Sequence, residues 1–228
     1  SGVLPKTSAV SVGEYEDIFR PFVEDGYKVI HINISSEFSS CYQNACLAAE
    51  ELGSGYPIDS RNLSSGSGHL VLLAAELAKE GKTAEEIVSI LNEKKEKLEV
   101  SFVLQTLDYL KKGGRISKTV AFAGTVLNIK PVLSVIDGDI KILGKARGSK
   151  MGNNLLVEEI KKAGGVDFSK PVLLGYSGIS DALLLKYIED SKALWEGKVD
   201  PLEFCHVSGT VGAHLGPGGV AAAFFRNE

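Results

Sequence analysis

The sequence predicts an α/β protein built as two domains. Two observations carry this. Strand-like and helix-like stretches alternate as far as about Leu98, and an Asp137-Gly138 pair sits between two apolar runs further on. Alternation of that kind gives a parallel or mostly parallel sheet between helices, whereas the Asp-Gly pair makes a hairpin of adjacent antiparallel strands. The change of pattern places a first α/β domain at residues 1–98 and a second, with a mixed sheet, at 99–228.

In the first domain, Ser11-Val12-Gly13-Glu14 has the form of a capping box. There the Ser hydroxyl and the Glu carboxylate satisfy free amides of a first helical turn. Tyr15, Ile18, Phe19, Phe22 and Val23 then recur at helical spacing, with Pro21 expected to kink or shorten the helix and Gly26 to end it. Lys28 to Ile34 reads as a strand with Ile30, Ile32 and Ile34 on one face. A Ser-rich turn leads to a small-residue helix through Ala45, Ala48, Ala49 and Leu52, a short strand near Tyr56–Asp59 and a helix near Gly68–Lys79. Thr83-Ala84-Glu85-Glu86 is a second capping box, opening a helix to about Leu98.

In the second domain, Ser101–Leu104 is a strand and Leu107–Lys112 a short helix stopped by Gly113-Gly114. The hairpin pairs Val132–Ile136 with Ile140–Leu143. Helices near Asn153–Lys162 and Ala182–Trp195 alternate with strands at Val172–Tyr176 and Glu203–Val207. The Gly-rich tail Gly209–Gly219 precedes Val220–Phe225, which reads as a closing core strand.

Composition narrows the class. With 44% hydrophobic and 24% charged residues the chain is an ordinary globular one, neither disordered nor fibrous. A formal charge of −4, and 20 Lys spread along the chain beside 5 Arg, argue against a nucleic-acid partner. No stretch approaches the ~20 consecutive apolar residues of a membrane span, and the first residues lack a signal-peptide profile. Cys41, Cys46 and Cys205 have no CxxC spacing, which suits a reducing cytoplasm rather than a disulfide framework or a zinc site.

Enzyme signatures are missing from the sequence. There is no GxSxG elbow, no HExxH and no GxGxxG after a strand. Gly138 to Lys145 has five intervening residues instead of the four of a P-loop and lacks the following hydroxyl. What remains is a set of hydroxyl-rich turns. Ser35-Ser36-Glu37-Phe38-Ser39-Ser40 follows a strand and precedes a helix, where free amides and a partial positive charge favour an anion. The alternative is that Ser39 or Ser40 simply caps the helix. Thr7-Ser8, His214 within Gly212–Gly218, Arg115 after Lys112-Gly113-Gly114, and Arg147 after the hairpin carry the same two readings: ligand contact, or turn and surface residue.

Taken in order, these segments resemble the DegV family across almost the whole chain. Leu4-Pro5-Lys6-Thr7-Ser8 with Ser11 is similar to its "TSQPS" turn, and Ile34 to Ala45 to its "ISSxLSGTYQSA" segment. Ile58-Asp59-Ser60, Thr106 to Ile116 and Leu127-Asn128-Ile129-Lys130-Pro131 follow in register, and Gly212–Gly218 resembles "GxHxGPG". The resemblance implies two α/β domains with a long-chain fatty acid such as palmitate between them. Its carboxylate would be held by hydroxyls of Thr7 and Ser39, with His214, Arg115 and Arg147 nearby. It also implies a non-catalytic carrier, without cofactor or metal, in lipid transport or fatty-acid metabolism, and as a partner a kinase that phosphorylates the bound acid. Two departures stand out: Ala9-Val10 replace Gln-Pro, and Ser40-Cys41 replace Gly-Thr. Family members also begin with a further strand and helix, which this sequence is expected to lack. The competing readings are a hydrolase or acyltransferase with Ser39 as nucleophile and His214 as base, oriented by Asp59 or Asp181, and a phosphotransfer component without lipid.

Overall fold

The computed structural model describes residues 4–116 and 128–227. The chain forms two compact units: one of Ser8–Leu98 with Asp137–Asp139, the other of Ser1–Thr7, Glu99–Ile136 and Ile140–Glu228. This grouping differs from a single cut at residue 98 in placing residues 4–7 with the second unit and the hairpin tip with the first. The α/β class and its two kinds of sheet are as the sequence predicts. Of the segment Leu127–Pro131, Leu127 lies outside the described residues.

The first unit opens with α1 (Val12–Glu24), whose capping box forms as predicted: Ser11 Oγ accepts from Glu14 N, and Glu14 accepts from Ser11 N at 2.8 Å. The helix runs through Pro21, and Gly26, at φ +83°, turns the chain out of it. Strand β1 (Ile30–Asn33) is shorter than expected, and its buried residue is Asn33. Its His31 ring lies 5.0 and 5.2 Å from those of Tyr15 and Phe19, and Asn33 accepts from the Tyr15 hydroxyl at 3.0 Å. The polar residues of β1 thus face α1, because Tyr15 offers both a ring and a donor. Helix α2 (Cys41–Glu51) buries Ala45 and Ala48 against Tyr15 and Phe19. Strand β2 (Tyr56–Asp59) pairs in parallel with β1, Ile32 opposite Ile58. Helix α3 (Ser65–Lys79) starts three residues earlier than its apolar spacing suggests, and α4 (Ala84–Lys94) has the second capping box, followed by a 3₁₀ turn, Lys95–Lys97.

The second unit is built on a six-stranded sheet. Its strands are β3 (Leu98–Val103), β4 (Ile129–Ile136), β5 (Asp139–Arg147), β6 (Leu173–Tyr176), β7 (Glu203–His206) and β8 (Val220–Phe225), in the order β5-β4-β3-β8-β6-β7. β3 runs antiparallel to β4 and β6 antiparallel to β8, while β6 and β7 are parallel, so the sheet is mixed. Asp137 and Gly138, at φ +54° and +81°, make the two-residue turn between β4 and β5, the two left-handed residues a type I′ turn requires. Among the helices are α5 (Asp108–Lys112), α6 (Ser149–Lys162), α7 (Ala182–Asp190), α8 (Lys192–Trp195) and α9 (Gly209–Leu215). The predicted continuous helix 182–195 breaks at Ser191. Its buried hydroxyl donates to Tyr187 O at 2.5 Å and accepts from Trp195 Nε1 at 2.9 Å, diverting the helical ladder. Within the Gly-rich tail lies α9. Strand β8 has every residue buried, and Phe224 joins Leu156, Tyr187 and Trp195 in the core.

Candidate functional site

In the second unit, α5 ends at Gly113, and Arg115 Nη1 turns back to donate to the Gly113 carbonyl at 2.7 Å. Helix α9 presents His214 from its last turn toward the same point. A side chain at Gly113 would overlap His214 Nδ1, and one at Gly216 would overlap the Tyr109 ring. The bare Cα atoms of these glycines let α5 and α9 approach. Thr7 completes the arrangement, its Oγ1 lying 2.8 Å from His214 Nε2 although the two are 207 residues apart. Around the pair is a cavity of about 300 Å³, lined also by Leu4, Pro5, Lys6, Lys112, Gly113, Arg115 and Ala213.

Burial, and then the charge of Arg115, hold His214 below the ordinary histidine range, so its ring is neutral near pH 7. Nδ1 is buried with no hydrogen-bond partner among the described residues. A bare buried acceptor is easier to tolerate than a bare buried N–H. The ring proton therefore belongs on Nε2, donating to the Thr7 oxygen. The Thr7 O–H is then free to donate to an acceptor in the cavity, beside the cationic side chains of Lys6, Lys112 and Arg115. A donor hydroxyl among three cationic side chains is chemistry that suits an anion.

The Ser-rich turn of the first unit is divided in its use. Ser35 Oγ donates to Gly138 O at 2.6 Å and Ser36 Oγ to Asp59 Oδ2 at 2.6 Å, so both hydroxyls hold the turn in place. Asp59 also accepts from Arg61 N at 2.8 Å, which makes it a structural carboxylate. Ser39 Oγ accepts from Cys41 N at 3.2 Å at the start of α2, and lies 3.1 Å from Cys41 Sγ. Ser40 makes no side-chain cap.

Of the residues singled out from sequence, Thr7, His214 and Arg115 come together in one cavity. Ser39 belongs to the other unit, and Arg147 is exposed at the end of β5. Lys6, Lys112 and Gly113 were missed as site residues. The Lys112-Gly113-Gly114-Arg115 run was visible, but read as a helix end it gave no sign that Gly113 meets a histidine. Among the described residues no group of His, Cys, Asp and Glu could hold a metal ion, and no helix is long and apolar enough to cross a membrane.

A sequence profile of the DegV family, described as uncharacterised protein, DegV family, matches residues 1–227. The chain belongs to the DegV family. A DegV domain-containing protein of Clostridium acetobutylicum is 37% identical over 218 residues, covering 94% of this chain and 75% of the relative. Among solved DegV structures, the fatty-acid-binding protein of Streptococcus agalactiae has 30% identity and a TM-score of 0.83, over 100% of this chain and 81% of that one. A stearic-acid-binding protein of Eubacterium ventriosum has 28% identity and a TM-score of 0.81, over 99% and 79%. The family and fold that the sequence motifs imply are both borne out.

Proposed function

We propose that this DegV protein binds a long-chain fatty acid such as palmitate as a non-catalytic carrier. The observation that carries the reading is the Thr7–His214 pair at 2.8 Å, set among Lys6, Lys112 and Arg115 in one cavity. A carboxylate there accepts the Thr7 O–H and neutralises local positive charge. The S. agalactiae and E. ventriosum relatives bind fatty acids, which supports the same ligand class. Burial of a ~16-carbon chain at roughly 0.8 kcal/mol per CH₂ supplies on the order of 12 kcal/mol gross, so the polar end needs only a few donors. Ser39 and Arg147 enter the proposed site by family resemblance. So do the absence of a cofactor, the cytoplasmic location, the role in lipid transport or fatty-acid metabolism, and presentation of the acid to a fatty-acid kinase.

The hydrolase reading requires a carboxylate on His214 Nδ1 to orient the base. That atom packs against Gly113 instead. Native mass spectrometry of the purified protein tests the proposal. A co-purifying fatty acid supports the carrier, whereas an acyl adduct on Ser39 would overturn it in favour of the enzyme.

A further inference from the structure

Helix α9 is too short and too glycine-rich to hold its own place. It has seven residues, Gly209–Leu215, and Gly209 and Gly212 are among them. A helix of that length is marginal in water, and each glycine costs about 1 kcal/mol against alanine. At its start, Ser208 Oγ accepts from Val211 N at a long 3.5 Å. His214 lies in its last turn, two residues before Gly216, where φ is +72° and the chain leaves the helix. The direction of the imidazole therefore depends on what holds that far end.

Ser177, the residue after β6, holds it. Ser177 is 1% exposed. Its hydroxyl donates to Gly216 O at 2.5 Å and accepts from Gly219 N at 2.9 Å. Its backbone N–H donates to Gly219 O at 3.0 Å, and its carbonyl accepts from Gly218 N at 2.7 Å. A Cβ at Gly219 would come within 2.8 Å of the Ser177 hydroxyl oxygen, so glycine there permits the approach. Gln105 adds a further hold, its Nε2 donating to Gly218 O at 3.0 Å. Lys130 Nζ donates to Gln105 Oε1 at 2.6 Å, which fixes the amide the right way round. Neither Ser177 nor Gln105 is among the described residues that line the Thr7–His214 cavity. Their influence on it passes through Gly216 to His214.

We propose that Ser177, seconded by Gln105, is a positioning residue for the Thr7–His214 site. By clasping Gly216–Gly219 it sets the last turn of α9 and aims His214 Nε2 at Thr7. The margin is narrow. From 2.8 Å, a drift of about 1 Å carries the pair beyond hydrogen-bond reach. Thr7 then keeps its hydroxyl but loses the partner that turns its O–H toward the cavity. A serine that served stability alone would lower the melting point and leave the imidazole of a folded variant where it was. The consequence for ligand rests on the fatty-acid reading above.

The test follows the His214 ring nitrogens by NMR between pH 5 and 8 in wild type, Ser177→Ala and Gln105→Met, without ligand. In the wild type the ring titrates below the ordinary 6.5, because of burial first and the charge of Arg115 second. Lys6 and Lys112 are the other charged side chains at the cavity. Release of the clasp lets water reach the ring. Its midpoint should therefore rise toward 6.5 in Ser177→Ala, and by less in Gln105→Met. His31, in the other unit, should not move and serves as the reference. Gln105→Met keeps length and neutrality, and carries the test should Ser177→Ala unfold. A His214 profile unchanged in a folded variant of either residue overturns the proposal. Palmitate titration of the same proteins separates the two ideas. Affinity lower by about tenfold beside a shifted ring is the expected result, the order of one lost hydrogen bond to a charged group. Unchanged affinity beside a shifted ring overturns the positioning role. Palmitate that fails to bind the wild type defeats the proposed function, and the ring profiles then decide the positioning alone.

Discussion

The six-stranded unit and the two-stranded unit solve the burial problem differently. In the former, β8 (VAAAFF) lies between β3 and β6 with all its residues buried, and helices supply Leu156, Tyr187 and Trp195 to the same core. In the latter, a pair of short parallel strands is packed by helices that leave Ile18, Phe22, Leu47, Val71 and Leu72 about half exposed. Two strands alone are marginal in water, so this unit leans on helix–helix contact and on its capping boxes. Each unit also holds a polar cluster: Thr7 and His214 in one, Tyr15, Asn33, Ser39 and Cys41 in the other. The difference teaches that the Thr7–His214 cavity sits on the better-packed scaffold, whereas the Ser-rich turn sits on the thinner one.

The largest effect expected from this contrast is in the cores. Phe224→Ala, at a fully buried site in the middle of the sheet, should cost about 3–5 kcal/mol in urea unfolding. Phe19→Ala should cost less, because its neighbours Val10, Val12 and Leu52 are only partly buried and can close over the gap. Equal losses would erase the distinction between the units.

Next in size is ligand binding. Thr7→Val keeps the shape and removes the donor, and should weaken palmitate binding by about 1.5–3 kcal/mol, as expected for a hydrogen bond to a charged group. Ser39→Ala, a position that enters the proposal by family resemblance, is expected to act in the same range. Calorimetric titration with unchanged affinity in a folded Thr7→Val protein would remove the second unit's cavity from the function.

Capping gives a smaller effect, confined to the first unit. Ser11→Ala removes the hydroxyl that accepts from Glu14 N and should lower stability by about 1 kcal/mol. A melting temperature unchanged from wild type would mean that α1 is held by packing alone.

The pH dependence is expected to be shallow, because both histidines concerned are partly exposed. His31 and His214 are each held below the ordinary value of 6.5, by burial first. Between the folded value and 6.5 the unfolded chain binds more protons, so stability is complete above about 6.5 and falls as the pH drops below it. Denaturation midpoints between pH 5 and 8 check this, and a rise on acidification would contradict it. Smallest of all, Arg147→Gln should change stability by less than about 0.5 kcal/mol, since the side chain is exposed. Palmitate affinity and acceptance by a fatty-acid kinase, measured on that variant, show whether it serves ligand, partner or neither.

Local rules were legible in the sequence wherever one short segment contained both halves of an interaction. Ser11 with Glu14, Thr83 with Glu86, and Asp137-Gly138 each satisfy their own backbone demands within four residues. The all-apolar run of β8 likewise announced a strand buried on both faces. Motif order identified the family. Tertiary structure decided which hydroxyls were already committed, spending Ser35 and Ser36 on the turn, and which face of β1 turned inward. It alone brought Thr7 to His214 and set Gly113 against the imidazole. The reason is physical: a capping or turn interaction is fixed by backbone geometry over a few residues. A contact spanning 207 residues exists only once strands, helices and their glycine gaps have packed.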